Sequence, residues 1–218
     1  ARHWSKVVKH SGSVATQEYA RRFENQKPSV AGPGAYAWLS RGLVEALLAF
    51  LGRATAGWEL HGAVYEFQWP AVLDAVRAAA ERGAAVRILY DDIEKYKTDR
   101  KTGRKSPAGP WAKNRKAIAD AGIADLCQGR GNSSAIMHNK FFVLSEGGVP
   151  KAVWTGSTNL TENGIFGHSN VGHIVEDETV ARAFVDYWTR LAEDPKVDNG
   201  YRAVNSGLSP SPPSPWKK

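Results

Sequence analysis

The chain has 218 residues, a length that fits one large domain or one domain with appendages. Hydrophobic residues make up 42% of it and charged residues 23%, which is typical of a soluble globular protein, and no apolar run approaches the roughly 20 residues that span a bilayer. The net charge of +7 favours an anionic partner, such as nucleic acid, a phosphorylated metabolite or an anionic lipid surface.

Cys127 is the single cysteine, so the chain cannot form an internal disulfide. This favours a cytoplasmic location. The first residue is Ala1 rather than Met, which leaves a removed secretory leader open as the alternative.

Predicted helices and strands alternate along the chain. Apolar spacing predicts an amphipathic helix from Tyr36 to about Thr55, and the run from Trp58 to Phe67 predicts a strand. The next predicted elements are a helix over Ala71–Arg82, a strand over Ala85–Tyr90, a polar loop over 93–110, a helix over Trp111–Ala121 and a short strand over Ile123–Cys127. Two further strands over Ile136–Leu144 and Ala152–Thr155 are joined at Gly147-Gly148, and a strand over Val171–Val175 precedes a helix that Asp177 caps.

This alternation predicts an α/β fold, an α-β-α sandwich around a mixed, largely parallel sheet. We expect three parts in the chain: an N-terminal arm over residues 1–34, a catalytic lobe over 35–195, and a Pro/Ser-rich tail or interlobe linker over 196–218.

Two short polar segments carry the predicted chemistry. His138 and Lys140 are two residues apart in a predicted strand, so they point to the same side of the sheet. Ser157 and Asn159 close the next strand and can present donors to the same place. An imidazole can attack phosphorus, while a lysine and two donors hold the phosphate oxygens. The four residues therefore predict a phosphodiester site that needs neither a metal nor a cofactor.

Each segment also has an ordinary structural interpretation. A strand histidine can be a partly buried residue with a satisfied hydrogen bond, and Gly156 to Asn159 can be a turn that caps a helix. A lysine within the apolar run from Ile136 to Leu144 is costly to desolvate, however, and this favours the functional interpretation.

At these residues the sequence resembles the phospholipase D superfamily. That family is marked by His-x-Lys-x4-Asp followed by Gly-Ser-x-Asn, and His138, Lys140, Gly156, Ser157 and Asn159 match it residue by residue. The resemblance extends more loosely from about Trp38 to Trp188. It implies a metal-independent phosphodiesterase, a phosphoric diester hydrolase that forms a phosphohistidine intermediate on a phospholipid or a nucleic acid.

The sequence departs from the family pattern in two places. Ser145 stands where the motif has Asp, and the stretch from His168 to Gly172 lacks the carboxylate that in the family orients the histidine. Asn170 and Glu66 are the candidate substitutes for that support. The loss at Ser145 favours an alternative function, a catalytically degenerate lobe that binds phosphate-bearing ligands without turnover.

The family mechanism, as the resemblance implies it, needs two His-Lys sets, and this chain has one. The second set would come from a homodimer mate or from the second lobe of a longer chain.

Two other features bear on the substrate. Basic residues crowd the segment 95–116, which is either a solvated loop or a guide for a polyanion; they are Lys95, Lys97, Arg100, Lys101, Arg104, Lys105, Lys113, Arg115 and Lys116. Trp69 and Trp111 border loops and could line an acyl or base pocket, although packing is the simpler interpretation. The basic segment favours nucleic acid, and the tryptophans favour lipid.

Overall fold

The structure, a computed structural model, describes residues 33–206. Residues 1–32 of the predicted arm and 207–218 of the predicted tail lie outside this range. Within it, no helix has the length and hydropathy of a bilayer-spanning segment.

Helices and strands alternate through most of the described range. The helices are α1 Pro33–Ser40, α2 Leu43–Gly52, α3 Pro70–Glu81, α4 Trp111–Asp120, α5 Glu178–Ala192 and α6 Asn199–Ser206. The strands are β1 Trp58–Val64, β2 Ala85–Asp91, β3 Lys95–Thr98, β4 Lys105–Ala108, β5 Cys127–Arg130, β6 Lys140–Glu146, β7 Val149–Gly156 and β8 Gly172–Val175. A 3₁₀ turn over Ala124–Leu126 and a π-helical turn over Asn163–Gly167 complete the regular structure.

Six of these strands form one mixed sheet in the order β5-β2-β1-β6-β7-β8. β5, β2 and β1 pair in parallel, and β6, β7 and β8 continue the sheet by antiparallel pairing. Four of the six strands therefore run in the same direction. The predicted α/β fold around a mixed, largely parallel sheet is confirmed.

Buried side chains cover both faces of the sheet, because residues alternate between faces along each strand. Leu60, Phe142 and Trp154 pack into a cluster with α2 and α3. Phe141 and Val153 belong to a second cluster, which includes residues of α5. The sheet is thus the middle layer of a three-layer sandwich.

The helix predicted over Tyr36 to Thr55 is two helices, α1 and α2. Arg41 and Gly42 separate them with φ angles of 51° and 87°, a left-handed conformation that an α-helix cannot contain. Apolar spacing continues across this break, so periodicity alone did not indicate it. The break lets α1 pack beside the π-helical turn, where the rings of Tyr36 and Phe166 lie 4.7 Å apart.

Three other predicted bounds were wrong. The polar loop predicted over 93–110 contains the antiparallel pair β3 and β4. The strand predicted over Ile123–Cys127 begins only at Cys127, after the 3₁₀ turn. The motif strand begins at Lys140 rather than Ile136, so His138 lies in the loop before the strand.

Gly62 lies where three strands pack most closely. A Cβ at this position of β1 would lie 2.8 Å from the Cδ1 atoms of both Ile88 and Phe142. Its carbonyl oxygen accepts a 2.8 Å hydrogen bond from Nε1 of Trp188, which attaches α5 to the sheet. The missing side chain at Gly62 therefore lets a bulky core close over β1.

We predict that Gly62→Ala lowers the free energy of unfolding by about 1–3 kcal/mol, because the added methyl group overpacks this core. Gly52→Ala is the matched control, since a Cβ there meets nothing within 4 Å at the end of α2. Urea unfolding of both variants measures the difference. Equal stability of the two variants would contradict the close packing at Gly62.

Candidate active site

Both polar motifs meet at one edge of the sheet. The register pairs Val64 at the end of β1 with Lys140 at the start of β6. β7 ends beside the same point, where Oγ1 of Thr155 donates a 3.3 Å hydrogen bond to the carbonyl oxygen of Lys140. The Gly-Ser-x-Asn segment follows directly from Gly156, the last residue of β7. Antiparallel pairing of β6 and β7 therefore brings the two motifs together.

Lys140 is a buried ammonium group with no salt bridge to any described carboxylate. The residue is only 6% exposed. Nζ donates a 3.0 Å hydrogen bond to the carbonyl oxygen of His138 and lies 5.3 Å from the ring centroid of Tyr65. A carbonyl and an aromatic face compensate a buried cation only in part, so the site keeps a positive potential.

The imidazole of His138 is exposed and lies beside the same tyrosine. The ring centroids of His138 and Tyr65 are 4.8 Å apart, with planes at 62°, an edge-to-face contact. No described residue makes a hydrogen bond with the imidazole nitrogens. The ring is therefore held by packing and keeps both nitrogens open to a substrate.

Burial lowers the pKa values of both motif residues. Burial lowers the pKa of Lys140, and the nearby carboxylate of Glu66 opposes this. Burial lowers the pKa of His138, the charge of Lys140 lowers it further, and Glu66 and Asp91 oppose the shift. The lowered pKa leaves the imidazole of His138 neutral at pH 7, and only the neutral ring has a lone pair for attack.

Ser157 is anchored by the segment that precedes β8. Its Oγ donates a 3.2 Å hydrogen bond to Oδ1 of Asn170 and accepts one of 3.1 Å from the backbone N–H of Val171. Asn170 in turn donates to the carbonyl oxygen of Gly164 at 2.8 Å. The sequence predicted that Asn170 supports an imidazole, whereas in the structure its side chain is hydrogen-bonded to Ser157.

Gly156 is the glycine of this second motif, and its place in the fold requires the absence of a side chain. A Cβ there would collide with the carbonyl oxygen of Val171. That same oxygen accepts hydrogen bonds from the backbone N–H of Ser157 at 3.0 Å and from Oγ1 of Thr158 at 2.9 Å. The close approach of the two segments fixes the direction of Ser157.

Asn159 has a buried side-chain oxygen, Oδ1, with no hydrogen-bond partner among the described residues. Buried polar atoms without partners are rare in native structures and favour a bound ligand at the site. A half-turn of the amide exchanges this oxygen for the NH₂ group, which is the donor that a phosphate oxygen accepts from.

Ser145 lies far from this edge. It is buried near the other end of β6, beyond a bulge between Leu144 and Ser145. Five residues of extended strand span about 16 Å. A side chain at position 145 therefore cannot reach a phosphate held by Lys140.

The carboxylate of Asp91 is a support that the sequence left unassigned at the end of β2. Asp91 is 2% exposed, and its Oδ2 accepts a 3.3 Å hydrogen bond from the backbone N–H of Met137, the residue before His138. Burial raises its pKa, and hydrogen bonds together with Lys95 and Arg130 oppose the shift. The acidic residues that follow it, Asp92 and Glu94, form ion pairs with Arg115 at 2.6 Å.

Asp194 holds the other end of the loop that carries His138, and sequence reasoning missed it. Its Oδ2 accepts hydrogen bonds from the backbone N–H groups of Gly131 at 3.0 Å and Asn132 at 2.9 Å. Its Oδ1 lies 2.9 Å from Nε of Arg130, a side chain that is 3% exposed, at an angle that falls short of a hydrogen bond. The φ of Asp194 is 46°, so a left-handed backbone turns this carboxylate toward the loop.

Comparison with known proteins gives one family match and several similar structures. Residues 47–192 match the family model described as cardiolipin synthase, PLD-like domain. This range begins inside α2, ends at the last residue of α5 and contains both motifs. A search of curated proteins found no match.

The solved structures that are similar to this chain include the following three. One is Nuc from Salmonella typhimurium, a phospholipase D family member, with 25% identity over 67% of this chain and 84% of that chain and a TM-score of 0.48. The second is NucT from Helicobacter pylori, with 16% identity over 72% and 91% of the two chains and a TM-score of 0.49. The third is polyphosphate kinase from Porphyromonas gingivalis, with 13% identity over 89% and 30% and a TM-score of 0.46.

We predict that NMR titration of the His138 ring gives a midpoint below the ordinary 6.5. Lys140→Met removes a charge that lowers this pKa, so the midpoint rises. Glu66→Gln removes a charge that raises it, so the midpoint falls. A midpoint above 6.5 would contradict the effect of burial on His138. A lower midpoint in Lys140→Met, or a higher one in Glu66→Gln, would show that these two charges do not act on His138 as stated.

We predict that Asp194→Ala lowers the free energy of unfolding by about 2–4 kcal/mol, because it leaves Arg130 buried without its partner. The side chain of Asp194 is 31% exposed, so solvent screens the pair and we expect a loss in the lower half of this range. Asp194→Asn keeps one acceptor oxygen, and asparagine tolerates the left-handed backbone, so this variant loses less free energy of unfolding than Asp194→Ala. Urea unfolding gives both values, and amide hydrogen exchange across 131–138 reports loosening of the loop. Unchanged hydrogen exchange across 131–138 in Asp194→Ala would contradict the conclusion that Asp194 holds this loop.

Proposed function

Because the chain belongs to the phospholipase D-like domain family, we propose that it is a metal-independent phosphodiesterase in which His138 is the nucleophile. The observation that carries the proposal is the buried, unpaired ammonium of Lys140 beside an exposed imidazole whose pKa is lowered. Such a pair attracts an anionic phosphate and can attack it.

In the proposed reaction, a ring nitrogen of His138 bonds to phosphorus while the bond from phosphorus to the leaving oxygen breaks. A second histidine donates its proton to that oxygen, and the alcohol departs. Water then attacks the phosphohistidine and gives a proton to the second histidine. The phosphorus–nitrogen bond breaks, a phosphate monoester leaves, and both histidines return to their starting states.

The other site residues hold the phosphate or support the residues that do. Lys140, Ser157 and Asn159 would contact the non-bridging oxygens, where negative charge must be held during attack. The single hydroxyl proton of Ser157 is donated to Asn170 at 3.2 Å in this structure, so it would turn from Asn170 to a phosphate oxygen when substrate binds. The backbone N–H of Val171 would keep Oγ in place at 3.1 Å. Glu66 would limit the fall in the pKa values of His138 and Lys140.

The second histidine of this reaction belongs to a second His-Lys set, and this chain has only one. A homodimer mate would bring a second copy of His138 across a two-fold axis, and a longer chain would bring a second lobe. A measurement of mass in solution separates these sources: an active dimer supports the first, and an inactive monomer supports the second.

The alternative function is a degenerate lobe that binds phosphate-bearing ligands without turnover. One His-Lys set per chain fits this alternative and the homodimer equally, so turnover is the property that separates them. The substitution at Ser145 no longer favours it, because that residue lies at the far end of β6.

We predict that the protein hydrolyses bis(p-nitrophenyl) phosphate in excess EDTA, and that His138→Ala slows this at least about 100-fold because the nucleophile is lost. His173→Ala is the matched control, because His173 is an exposed histidine on β8. Intact-mass measurement after an acid-free quench detects the covalent intermediate on the wild type and not on His138→Ala. Phosphate binding without turnover by the dimer would favour the degenerate lobe, and loss of activity in EDTA would refute metal independence.

A further inference from the structure

A basic hairpin, defined here as residues 95–105, lies beside the candidate site and comprises β3, the turn after it and the first residue of β4. It carries six basic side chains, Lys95, Lys97, Arg100, Lys101, Arg104 and Lys105, and one acidic side chain, Asp99. All six basic residues are exposed, and none makes an ion pair with a described residue. By contrast, Arg115 and Lys116 on α4 are neutralised by carboxylates.

The hairpin is an ordered element rather than a solvated loop. Lys97 pairs with Ser106, and Thr98 pairs with Lys105. At the tip, Oδ1 of Asp99 accepts hydrogen bonds from the backbone N–H groups of Lys101 at 2.9 Å and Thr102 at 2.8 Å. These hydrogen bonds lower the pKa of Asp99. The one acidic group is thus used to form the turn.

The base of the hairpin is fixed next to the site. Nε1 of Trp111 donates a 3.0 Å hydrogen bond to the carbonyl oxygen of Lys95. Lys95 follows Asp91, the last residue of β2, by four positions, and Oδ2 of Asp91 accepts a 3.3 Å hydrogen bond from the backbone N–H of Met137, the residue before His138. The basic surface therefore starts at the edge of the sheet where His138 lies.

The two tryptophans that favoured a lipid are used in packing. Trp111 is 8% exposed and supports the hairpin. Trp69 packs against the core, with its ring centroid 5.2 Å from that of Tyr36 and 4.9 Å from that of Phe166. Neither side chain is left to line an acyl pocket.

The hairpin tip also lacks the side chains that enter a bilayer. Residues 98–104 include no apolar residue larger than glycine. Tyr96 is the one large apolar side chain of the hairpin, 56% exposed, and it shares a face of the ribbon with Lys105. The ring of Tyr96 lies 5.4 Å from that of Trp111, and its exposed part, beside Lys105, suits base stacking next to a phosphate contact.

We propose that the hairpin of residues 95–105 binds the backbone of a nucleic acid strand and leads it to His138, so that the substrate class is nucleic acid rather than phospholipid. This inference rests on the proposed function for its choice of reaction centre. The binding itself depends on charge and does not require turnover.

The test measures equilibrium binding of a fluorescent 20-nucleotide single strand as a function of salt. The test variant carries Lys97→Gln, Arg100→Gln, Lys101→Gln and Arg104→Gln. The control variant has the same net charge through Arg77→Gln, Lys116→Gln, Arg182→Gln and Arg202→Gln, at exposed positions on other helices. A third variant exchanges Lys and Arg at the four hairpin positions, which keeps the charge.

We expect the hairpin variant to bind the strand at least about 10-fold more weakly at low salt. The slope of the logarithm of the binding constant against the logarithm of the salt concentration becomes shallower by up to about 3, since each single-strand phosphate contact contributes about 0.7. The control and the charge-keeping variants stay near wild type. Thermal unfolding checks that the hairpin variant is folded.

Three outcomes overturn the inference: no binding of the strand by the wild type, equal loss in the hairpin and control variants, or loss seen only with phosphatidylglycerol vesicles, which would indicate a lipid surface. Turnover of the small diester is scored separately on the wild type. Its absence counts against the proposed function, whereas a failed binding test counts against the nucleic acid alone.

Discussion

The burial of Lys140 at the first position of β6 is the interaction on which the site depends. A lysine ammonium removed from water costs several kcal/mol unless it is paired. Here the carbonyl of His138 and the ring of Tyr65 replace only part of the lost hydration. The sheet that surrounds the residue stabilises this arrangement, and the proposed phosphate contact is with the uncompensated charge.

Carboxylates surround the site without contacting the ammonium. Asp91 accepts a backbone N–H from the loop that carries His138, and Asp194 accepts two more at the start of that loop. Both carboxylates therefore fix the backbone rather than neutralise Lys140. A carboxylate within 4 Å of Nζ would cancel the charge and compete with an anionic substrate.

Local signals in the sequence predicted most of the fold. Pro70 opens α3, and Asp177 caps α5 through a 2.8 Å hydrogen bond from the N–H of Val180. These predictions succeeded because caps and turn residues act over a few positions. The continuous helix from Tyr36 to Thr55 and the loop over 93–110 failed, since a left-handed break and a polar hairpin leave the apolar spacing unchanged.

The sequence by itself determined the α/β architecture, the family motifs and the residue types on which the proposed phosphate chemistry depends. The tertiary structure decided what their neighbours do: it placed Ser145 away from the site, gave Asn170 to Ser157 and brought Asp194 to the loop of His138. The reason is physical, because spacing along a chain encodes periodicity and local hydrogen bonds. Contacts between residues more than 60 positions apart, such as Asp194 and Gly131, exist only once the sheet has formed.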